Sequence, residues 1–164
     1  SSEIEQDQQL KIEEYDFSTQ IKLGISLLIP EDYISDLALR MSFYKKIALI
    51  KSDEDHENIS NEMNNRFGKL PQEITNLIEV AKLKNICRQI GIEKLESKKD
   101  GLLVTFRNNK FKEPDKLLQM VFSSNSKIKI NPEQKLLFIC YPQNDGIKIQ
   151  QSFAIANKLK NLCQ

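Results

Sequence analysis

The side chains of this sequence that could do chemistry are few and widely spaced. The single histidine, His56, lies between Asp55 and Glu57, a setting that could serve proton transfer. A histidine near the start of a helix is more often a solvated polar residue, and we interpret His56 in that way. Glu31 and Asp32 are adjacent in sequence, and adjacent carboxylates do not converge on one substrate unless the backbone turns sharply. We interpret them as a turn before a helix, so the sequence predicts no catalytic residue.

Nucleotide and metal sites are not predicted either. The sequence contains neither GxxxxGKS/T nor GxGxxG, the glycine-rich patterns that hold phosphates. Cys87, Cys140 and Cys163 are tens of residues apart, which is not the spacing of a zinc site, and we expect reduced thiols of a cytoplasmic protein. The longest apolar run, Ile25–Ile29, is far shorter than the about 20 residues of a membrane span. We therefore expect no cofactor, no metal and no membrane contact.

A basic stretch could contact nucleic acid. Between Lys98 and Lys116, six basic residues outnumber three acidic ones, and Phe106 and Phe111 lie among them. The stretch can be interpreted as a phosphate contact, or as the solvated rim of a hairpin whose aromatic side chains point into the core. The second interpretation is favoured and the first is the alternative. The residues for a nucleic-acid contact would be Lys98, Lys99, Arg107, Lys110 and Lys112.

A short helix carries the other candidate site. Ile59, Met63 and Phe67 are four residues apart, which predicts a helix with a narrow apolar stripe. Gly68 follows directly and is a typical residue just past a helix end. The acidic stretch of residues 52–55 is expected to begin this helix.

The polar side of the same helix predicts a binding surface. Asn58, Glu62 and Asn65 fall at i, i+4 and i+7, opposite the apolar stripe, where they would face solvent or a partner. Packing in the core accounts for the aromatic residue at the helix end, but it does not account for Arg66. We therefore predict a protein interface formed by Asn58, Glu62, Asn65 and Arg66.

The elements before and after this helix follow from the hydrophobic periodicity. Alternation over Ile21–Leu27 predicts a strand that ends at Pro30. Apolar positions three and four apart predict a helix from about Ser35 to Ile50, and a third helix is predicted from Pro71 to Ile90.

The hydrophobic periodicity changes in the second half of the chain. An Asp100-Gly101 pair predicts a hairpin, and Pro114 opens a short helix. A second strand pair, joined across residues 131–134, and a final helix complete the order. Helices segregated from antiparallel strands predict an α+β fold, with the helices packed against short antiparallel strands and hairpins.

The charge balance does not favour a dedicated DNA-binding protein. The 164 residues carry 24 basic and 23 acidic side chains, a formal net charge of +1. The charges are uneven, because residues 1–16 hold six acidic residues and one basic residue, Lys11. We expect residues 1–20 to be an acidic linker or flexible segment and residues 21–164 to be the folded domain.

Several segments resemble the C-terminal domain of bacterial transcription-repair coupling factors, the Mfd family. They are Ile29-Pro30-Glu31-Asp32-Tyr33-Ile34, continuing from Asp36 to Lys45, and Arg66-Phe67-Gly68 followed by Leu70-Pro71. Supporting matches are Leu83-Lys84, Cys87-Arg88, Gly91 to Leu95, and Phe106-Arg107-Asn108. The resemblance extends from about Ile21 to the end, and it implies that residues 21–164 are the C-terminal regulatory domain.

The resemblance implies a non-catalytic role within a larger protein. The family consists of ATP-dependent DNA translocases, helicase-like ATPases that displace stalled RNA polymerase from double-stranded DNA and recruit nucleotide excision repair through UvrA. It implies that ATP and Mg bind the motor domains of the parent and not this chain. It also implies autoinhibition, in which this domain folds back on a UvrB-like N-terminal module and masks the UvrA-binding surface.

The resemblance also implies which residues make that contact. Family contacts come from acidic residues on the helix that precedes the Arg-Phe-Gly motif, and Glu62 matches one such position. Asn65 departs from the family pattern, in which relatives often carry an aspartate, although its amide can still accept a hydrogen bond. Both residues lie on the polar side that the periodicity had already assigned to solvent or a partner.

Overall fold

Residues 2–6 and 19–164 are described by the computed structural model of this chain. Their contacts divide the chain into two compact units. Unit 1 comprises Ser1–Phe17 and Ser26–Lys82, and unit 2 comprises Ser18–Ile25 and Leu83–Gln164. The predicted division into residues 1–20 and residues 21–164 stays a prediction.

Unit 1 is helical in its described residues. Residues 2–6 are helical (α1), and they are followed by α2 (Leu37–Ala48), α3 (Asp53–Phe67) and the first part of α4 (Gln72–Gln89). The predictions of a helix from Ser35 to Ile50 and of another from Pro71 to Ile90 are confirmed to within two residues at each end.

The core of unit 1 is built from the predicted apolar faces. Ile59 and Met63 of α3 are buried, as their four-residue spacing requires. Phe67 packs partly buried against the same cluster. The buried members of the cluster are Ile29, Ile34, Phe43, Tyr44, Ile47, Ile50, Ile59, Met63, Ile74 and Ile78.

Unit 2 is a mixed sheet with helices. Its strands are β1 (Gln20–Lys22), β2 (Ile92–Lys98), β3 (Gly101–Phe106), β4 (Ile128–Ile130) and β5 (Leu136–Ile139), and its helices after α4 are α5 (Pro114–Phe122) and α6 (Asp145–Leu162). The strand order is β1-β2-β3-β5-β4, with β1 parallel to β2 and every other pair antiparallel. The predicted α+β class with two hairpins is confirmed.

Gly101 explains how the two hairpins form one sheet. It pairs with Ile139 of β5, and a Cβ at this position would lie 2.0 Å from the carbonyl oxygen of Phe138. No side chain fits at that distance, so β3 and β5 can approach only at a glycine. The tight turn itself is formed by Lys99 and Asp100, and Gly101 is the first residue of β3.

The predicted strand over Ile21–Leu27 is wrong in its second half. Only Gln20–Lys22 form a strand, and the extended backbone ends at Gly24, whose φ is +68°. A left-handed residue turns the chain away from the sheet, so the alternation that continues past Gly24 does not correspond to pairing.

The amino-terminal segment also differs from the expected solvated linker where it is described. Glu5 is 2% exposed, and its carboxylate accepts hydrogen bonds from Arg40 and Tyr44. A buried carboxylate is tolerated when such donors satisfy it. Thr19 is buried too, and its hydroxyl donates to the carbonyl of Ile92 at 2.7 Å. Residues 1 and 7–18 lie outside the described residues.

Candidate interaction surface

The helix that carries the predicted interface is α3, and its ends are fixed by local chemistry. Ser52 caps the first turn, because its side chain accepts the N–H of Asp55 at 3.1 Å. Asp53, Glu54 and Asp55 occupy that turn, where negative charge stabilises the positive end of the helix dipole. Gly68 ends the helix with a φ of +95°.

The structure brings the four predicted interface residues together on the accessible side of α3. Asn58, Asn65 and Arg66 are exposed, and Glu62 is half-buried. The buried stripe of the helix lies on the other side, as predicted. This arrangement leaves the polar side of α3 available to a partner, although a partner contact by these residues remains a prediction.

Glu62 is held between two cations. Its carboxylate oxygen Oε2 lies 3.1 Å from Nζ of Lys46 on α2 and 2.9 Å from Nη1 of Arg66 one turn along α3. The hydrogen bond from Lys46 is the main cause that lowers the pKa of Glu62, and the bond from Arg66 adds to it against the effect of partial burial. We name Lys46, Glu62 and Arg66 the charged triad.

Aromatic rings lie against the two cationic side chains of the charged triad. Nζ of Lys46 lies 4.9 Å from the ring centroid of Phe43, and Cζ of Arg66 lies 5.0 Å from that of Phe67. The two rings meet edge to face at 5.5 Å. Cations over ring faces are electrostatically favoured, so these contacts favour the observed position of each cationic side chain.

The end of α3 is anchored by Tyr33. Its hydroxyl lies within hydrogen-bond distance of the carbonyls of Met63 (3.1 Å) and Gly68 (2.8 Å), and its ring contacts Phe67 at 5.7 Å. The two segments that carry the resemblance, residues 29–34 and 66–68, meet at this contact. The sequence alone did not assign Tyr33, Phe43 or Lys46 to this surface.

The fold divides the basic stretch into two groups. Lys98 and Lys99 lie at the β2–β3 turn, whereas Arg107 follows Phe106 at the opposite end of β3. Six residues of strand separate the groups by about 20 Å. Lys98 is also paired with Glu96 at 3.0 Å. The five predicted residues therefore do not form one surface.

The aromatic residues of that stretch follow the favoured interpretation. Phe106 is 3% exposed and packs against Phe111, with ring centroids 5.0 Å apart. A ring buried in this way cannot stack on a nucleotide base. The inward-pointing aromatic of the rim interpretation is therefore present at Phe106, and a phosphate contact by the basic side chains stays a prediction.

The other titratable groups considered from the sequence are His56, Glu31, Asp32 and Cys87. His56 lies 3.3 Å from Glu79, and Glu31 and Asp32 are in a turn, as predicted. Burial raises the pKa of the Cys87 thiol to about 12, which makes it unreactive near neutral pH. Among the described residues, no group of histidine, cysteine, aspartate or glutamate side chains could hold a metal ion, and none of the helices is both long and apolar enough to cross a bilayer.

Comparison with known proteins identifies the family. A family model described as the TRCF domain matches residues 23–117, more than half of the chain. The chain belongs to the TRCF domain family. The resemblance predicted from residues 29–34 and 66–71, both inside the matched range, is therefore confirmed.

Sequence similarity to known proteins supports this membership of the TRCF domain family. The transcription-repair-coupling factor of Rickettsia typhi is 38% identical over 128 residues, 78% of this chain and 11% of that protein. The Escherichia coli protein of the same name is 31% identical over 121 residues, 74% of this chain and 10% of that protein. The chain thus spans about a tenth of the length of these curated relatives.

A solved structure shares the fold of this TRCF domain. A crystal structure of the C-terminal domain of transcription-repair coupling factor superposes with a TM-score of 0.73 and covers 88% of this chain and 93% of that one. The two are 23% identical, so this match concerns the fold.

Proposed function

We propose that this chain is a non-catalytic regulatory domain of a transcription-repair coupling factor and that it acts as an autoinhibitory lid. In this proposal the polar side of α3 docks on a UvrB-like module in the N-terminal part of the same polypeptide and masks the surface that binds UvrA. The observation that carries the proposal is that Asn58, Glu62, Asn65 and Arg66 share the accessible side of α3, with the core of unit 1 on the other side.

The activity of the parent protein belongs to the same proposal. We take the parent to be a cytoplasmic bacterial ATP-dependent translocase on double-stranded DNA, which engages RNA polymerase and holds ATP and Mg in its motor domains. Phosphate-loop patterns are missing from this chain, which spans about a tenth of its relatives. The domain is therefore assigned binding and regulation, and the chemistry is assigned to the rest of the polypeptide.

The charged triad suits a reversible contact. Lys46 and Arg66 lie over aromatic rings, so docking costs less side-chain entropy than it would for free lysine and arginine side chains. Glu62 is half-buried, and it can exchange an internal ion pair for one with a basic partner at small cost because exposed pairs contribute little.

A tethered lid needs only modest intrinsic affinity. A linked partner experiences an effective concentration on the order of 1 mM. With an interface dissociation constant of about 10 µM, the closed state would be favoured about 100-fold. That ratio corresponds to about 2.7 kcal/mol, which engagement of polymerase and DNA can overcome.

The decisive experiment measures UvrA binding by the full-length protein. We expect Glu62→Lys to raise the affinity for UvrA, because the substitution places a third cation beside Lys46 and Arg66 and repels a basic docking surface. Glu57→Lys is the matched control, since Glu57 is exposed on α3 and lies about 140° around the helix from Glu62. Unchanged UvrA affinity in Glu62→Lys, or an equal rise in both variants, would count against the assigned surface.

Titration of this chain with the isolated UvrB-like module tests the contact directly. We expect a dissociation constant near 10 µM, about tenfold weaker for Glu62→Lys and unaltered for Glu57→Lys. If the wild-type chain does not bind the module at concentrations up to the effective concentration of the tether, the lid hypothesis is wrong.

A further inference from the structure

Unit 2 contains an open cavity of about 330 Å³ whose lining carries three cationic side chains, Arg107, Lys110 and Lys112. Over the described part of the chain, no carboxylate lines this cavity. A concave surface lined by one sign of charge concentrates counterions of the opposite sign. We name this cavity the basic pocket, and its electrostatics favour an anion.

The backbone around the basic pocket contains left-handed residues. Arg107–Asn109 form one turn of 3₁₀ helix, in which Asn108 and Asn109 have φ values of 57° and 52°. Asparagine tolerates this left-handed region better than most residues. A second pair of left-handed residues, Asn125 and Ser126, lies away from the pocket, so such a pair is not confined to it. Gly91 also lines the pocket, with a φ of +78°, and its carbonyl accepts the N–H of Arg107 at 2.9 Å. Left-handed residues held in this way are frequent at ligand sites.

Lys110 and Lys112 differ in their pairing from the two lysines of β2. Lys94 and Lys98 of β2 are both paired with Glu96, at 3.3 and 3.0 Å. Within residues 2–6 and 19–164, Lys110 and Lys112 have no ion-pair partner. Two such cations on one concave surface repel one another, and a bound anion would relieve that repulsion.

Helix ends give a competing explanation for these charges. The basic pocket lies beside Gln89, the last residue of α4, and Cys163, the cap of α6, and both helix ends carry partial negative charge. Cations are stabilising at such ends. That effect does not require a concave lining or the left-handed turn at Asn108, and the two explanations differ in whether an anion binds.

We propose that the basic pocket binds a phosphoryl group, supplied by the backbone of a nucleic acid or by a free nucleotide. A guanidinium fork with two ammonium groups is a donor set suited to phosphate oxygens. The lining contains no aromatic side chain among the described residues, so the site recognises phosphate and does not stack on a base. This proposal concerns unit 2 and is independent of the lid contact on α3.

The test compares two sets of charge-neutralising substitutions in this chain. Arg107→Gln, Lys110→Gln and Lys112→Gln are combined in one variant, and Lys98→Gln with Lys99→Gln, at the other end of the hairpin, form the control. Binding of a short labelled DNA duplex is measured at several salt concentrations. We expect the pocket variant to lose roughly tenfold or more in affinity, and its log–log salt slope to fall by about 0.9 for each phosphate contact removed. We expect the control to change less than about twofold, and an equal loss in both variants would overturn the site.

Titration with small anions distinguishes the two sources of the phosphoryl group, a nucleic-acid backbone and a free nucleotide. Inorganic phosphate and ATP are titrated into the ¹⁵N-labelled wild-type chain, with sodium chloride at matched ionic strength as the control. Shifts confined to the amides of Gly91 and Asn108 support the pocket, and binding of ATP without binding of the duplex would assign it to a free nucleotide. If the duplex, ATP and phosphate all fail to bind, or if chloride moves the same amides equally, the proposal is wrong. Should the pocket variant not fold, Lys110→Gln with Lys112→Gln, both at exposed positions, replaces it.

Discussion

Among the described residues of unit 1, two clusters contain an arginine paired with a glutamate, and the clusters differ in burial. In the first, Arg40 and Glu5 are 2% and 3% exposed, with Nε and Oε1 3.2 Å apart. In the second, Arg66 and Glu62 are 46% and 35% exposed, with Nη1 and Oε2 2.9 Å apart. The chemical groups and distances are nearly the same, so the surroundings decide what each pair contributes.

The buried cluster leaves its donors no freedom to exchange partners. Arg40 also donates to the carbonyls of Ile34 (2.7 Å) and Ser35 (3.1 Å), and Tyr44 donates to Glu5 at 2.7 Å. Removing one member of a buried pair leaves an uncompensated charge, which destabilises a protein strongly. This cluster therefore fixes residues 2–6 on unit 1.

The donors and acceptors of the exposed cluster can exchange partners. Water already solvates Glu62 and Arg66, so the loss of their mutual contact changes the free energy of unfolding little. A partner can offer equivalent contacts at the same site. The comparison indicates that a reversible docking surface, as proposed for α3, would use exposed pairs that contribute little to stability, whereas a permanent attachment uses a pair withdrawn from water.

The largest effect is expected from Glu5→Gln. The substitution removes the buried charge opposite Arg40 and leaves only the exposed carboxylate of Glu31, 3.7 Å from Nη2 of Arg40. It should lower the free energy of unfolding of unit 1 by about 3–5 kcal/mol. Urea denaturation of the purified chain measures the change. Glu3→Gln is the control, because Glu3 is exposed two residues away, and it should have no effect. A loss below about 1 kcal/mol would mean that Arg40 is effectively solvated, and the contrast between the clusters would not hold.

Tyr44→Phe tests the buried cluster a second time, and its effect on the free energy of unfolding should be intermediate. The hydroxyl of Tyr44 accepts the N–H of Ile29 at 2.6 Å and donates to Glu5, so phenylalanine leaves two buried polar groups without this partner. We expect a loss of about 1–3 kcal/mol in the free energy of unfolding, measured by the same denaturation. Tyr141→Phe, at a side chain that is 70% exposed, should leave stability unaltered. Equal values for both tyrosines would contradict the buried network.

The sequence correctly predicted the features that depend on the spacing of nearby residues, such as helix α3. The four-residue spacing of Ile59, Met63 and Phe67 identified α3 and its exposed side, because a helix converts spacing directly into faces. Glu62 and Asn65 were located on that side for the same reason. The carboxylate of Glu5 was misassigned to solvent, since its donors Arg40 and Tyr44 are 35 and 39 residues away and leave no mark on the acidic run around it.

Proximity in sequence was also misleading where the chain reverses. Lys98 and Arg107 belong to one basic stretch, yet the antiparallel pairing of β2 and β3 places them at opposite ends of a hairpin. Conversely, Lys46 and Glu62 are 16 residues apart and form an ion pair. Neither result follows from periodicity, because both depend on how elements pack after they have formed.

The smallest effect is expected from Glu62→Gln, and its pH dependence identifies the exposed cluster. At neutral pH the substitution should change the free energy of unfolding by less than about 1 kcal/mol, because the carboxylate is partly solvated. The hydrogen bonds from Lys46 and Arg66 lower the pKa of Glu62 in the folded state below its ordinary value of 4.5. Its contribution is therefore complete above that value and is lost as the pH falls through the lowered pKa.

Denaturation of the wild type and of Glu62→Gln between neutral and acidic pH measures this difference. The two free energies should differ slightly at pH 7 and converge in acid, where Glu62 is protonated in both the folded and the unfolded state. High salt should reduce the difference at neutral pH, since the charges of the triad are accessible to ions. A difference as large as that of Glu5→Gln, insensitive to salt, would show that the charged triad holds unit 1 together, and a surface of that kind could not release one partner for another.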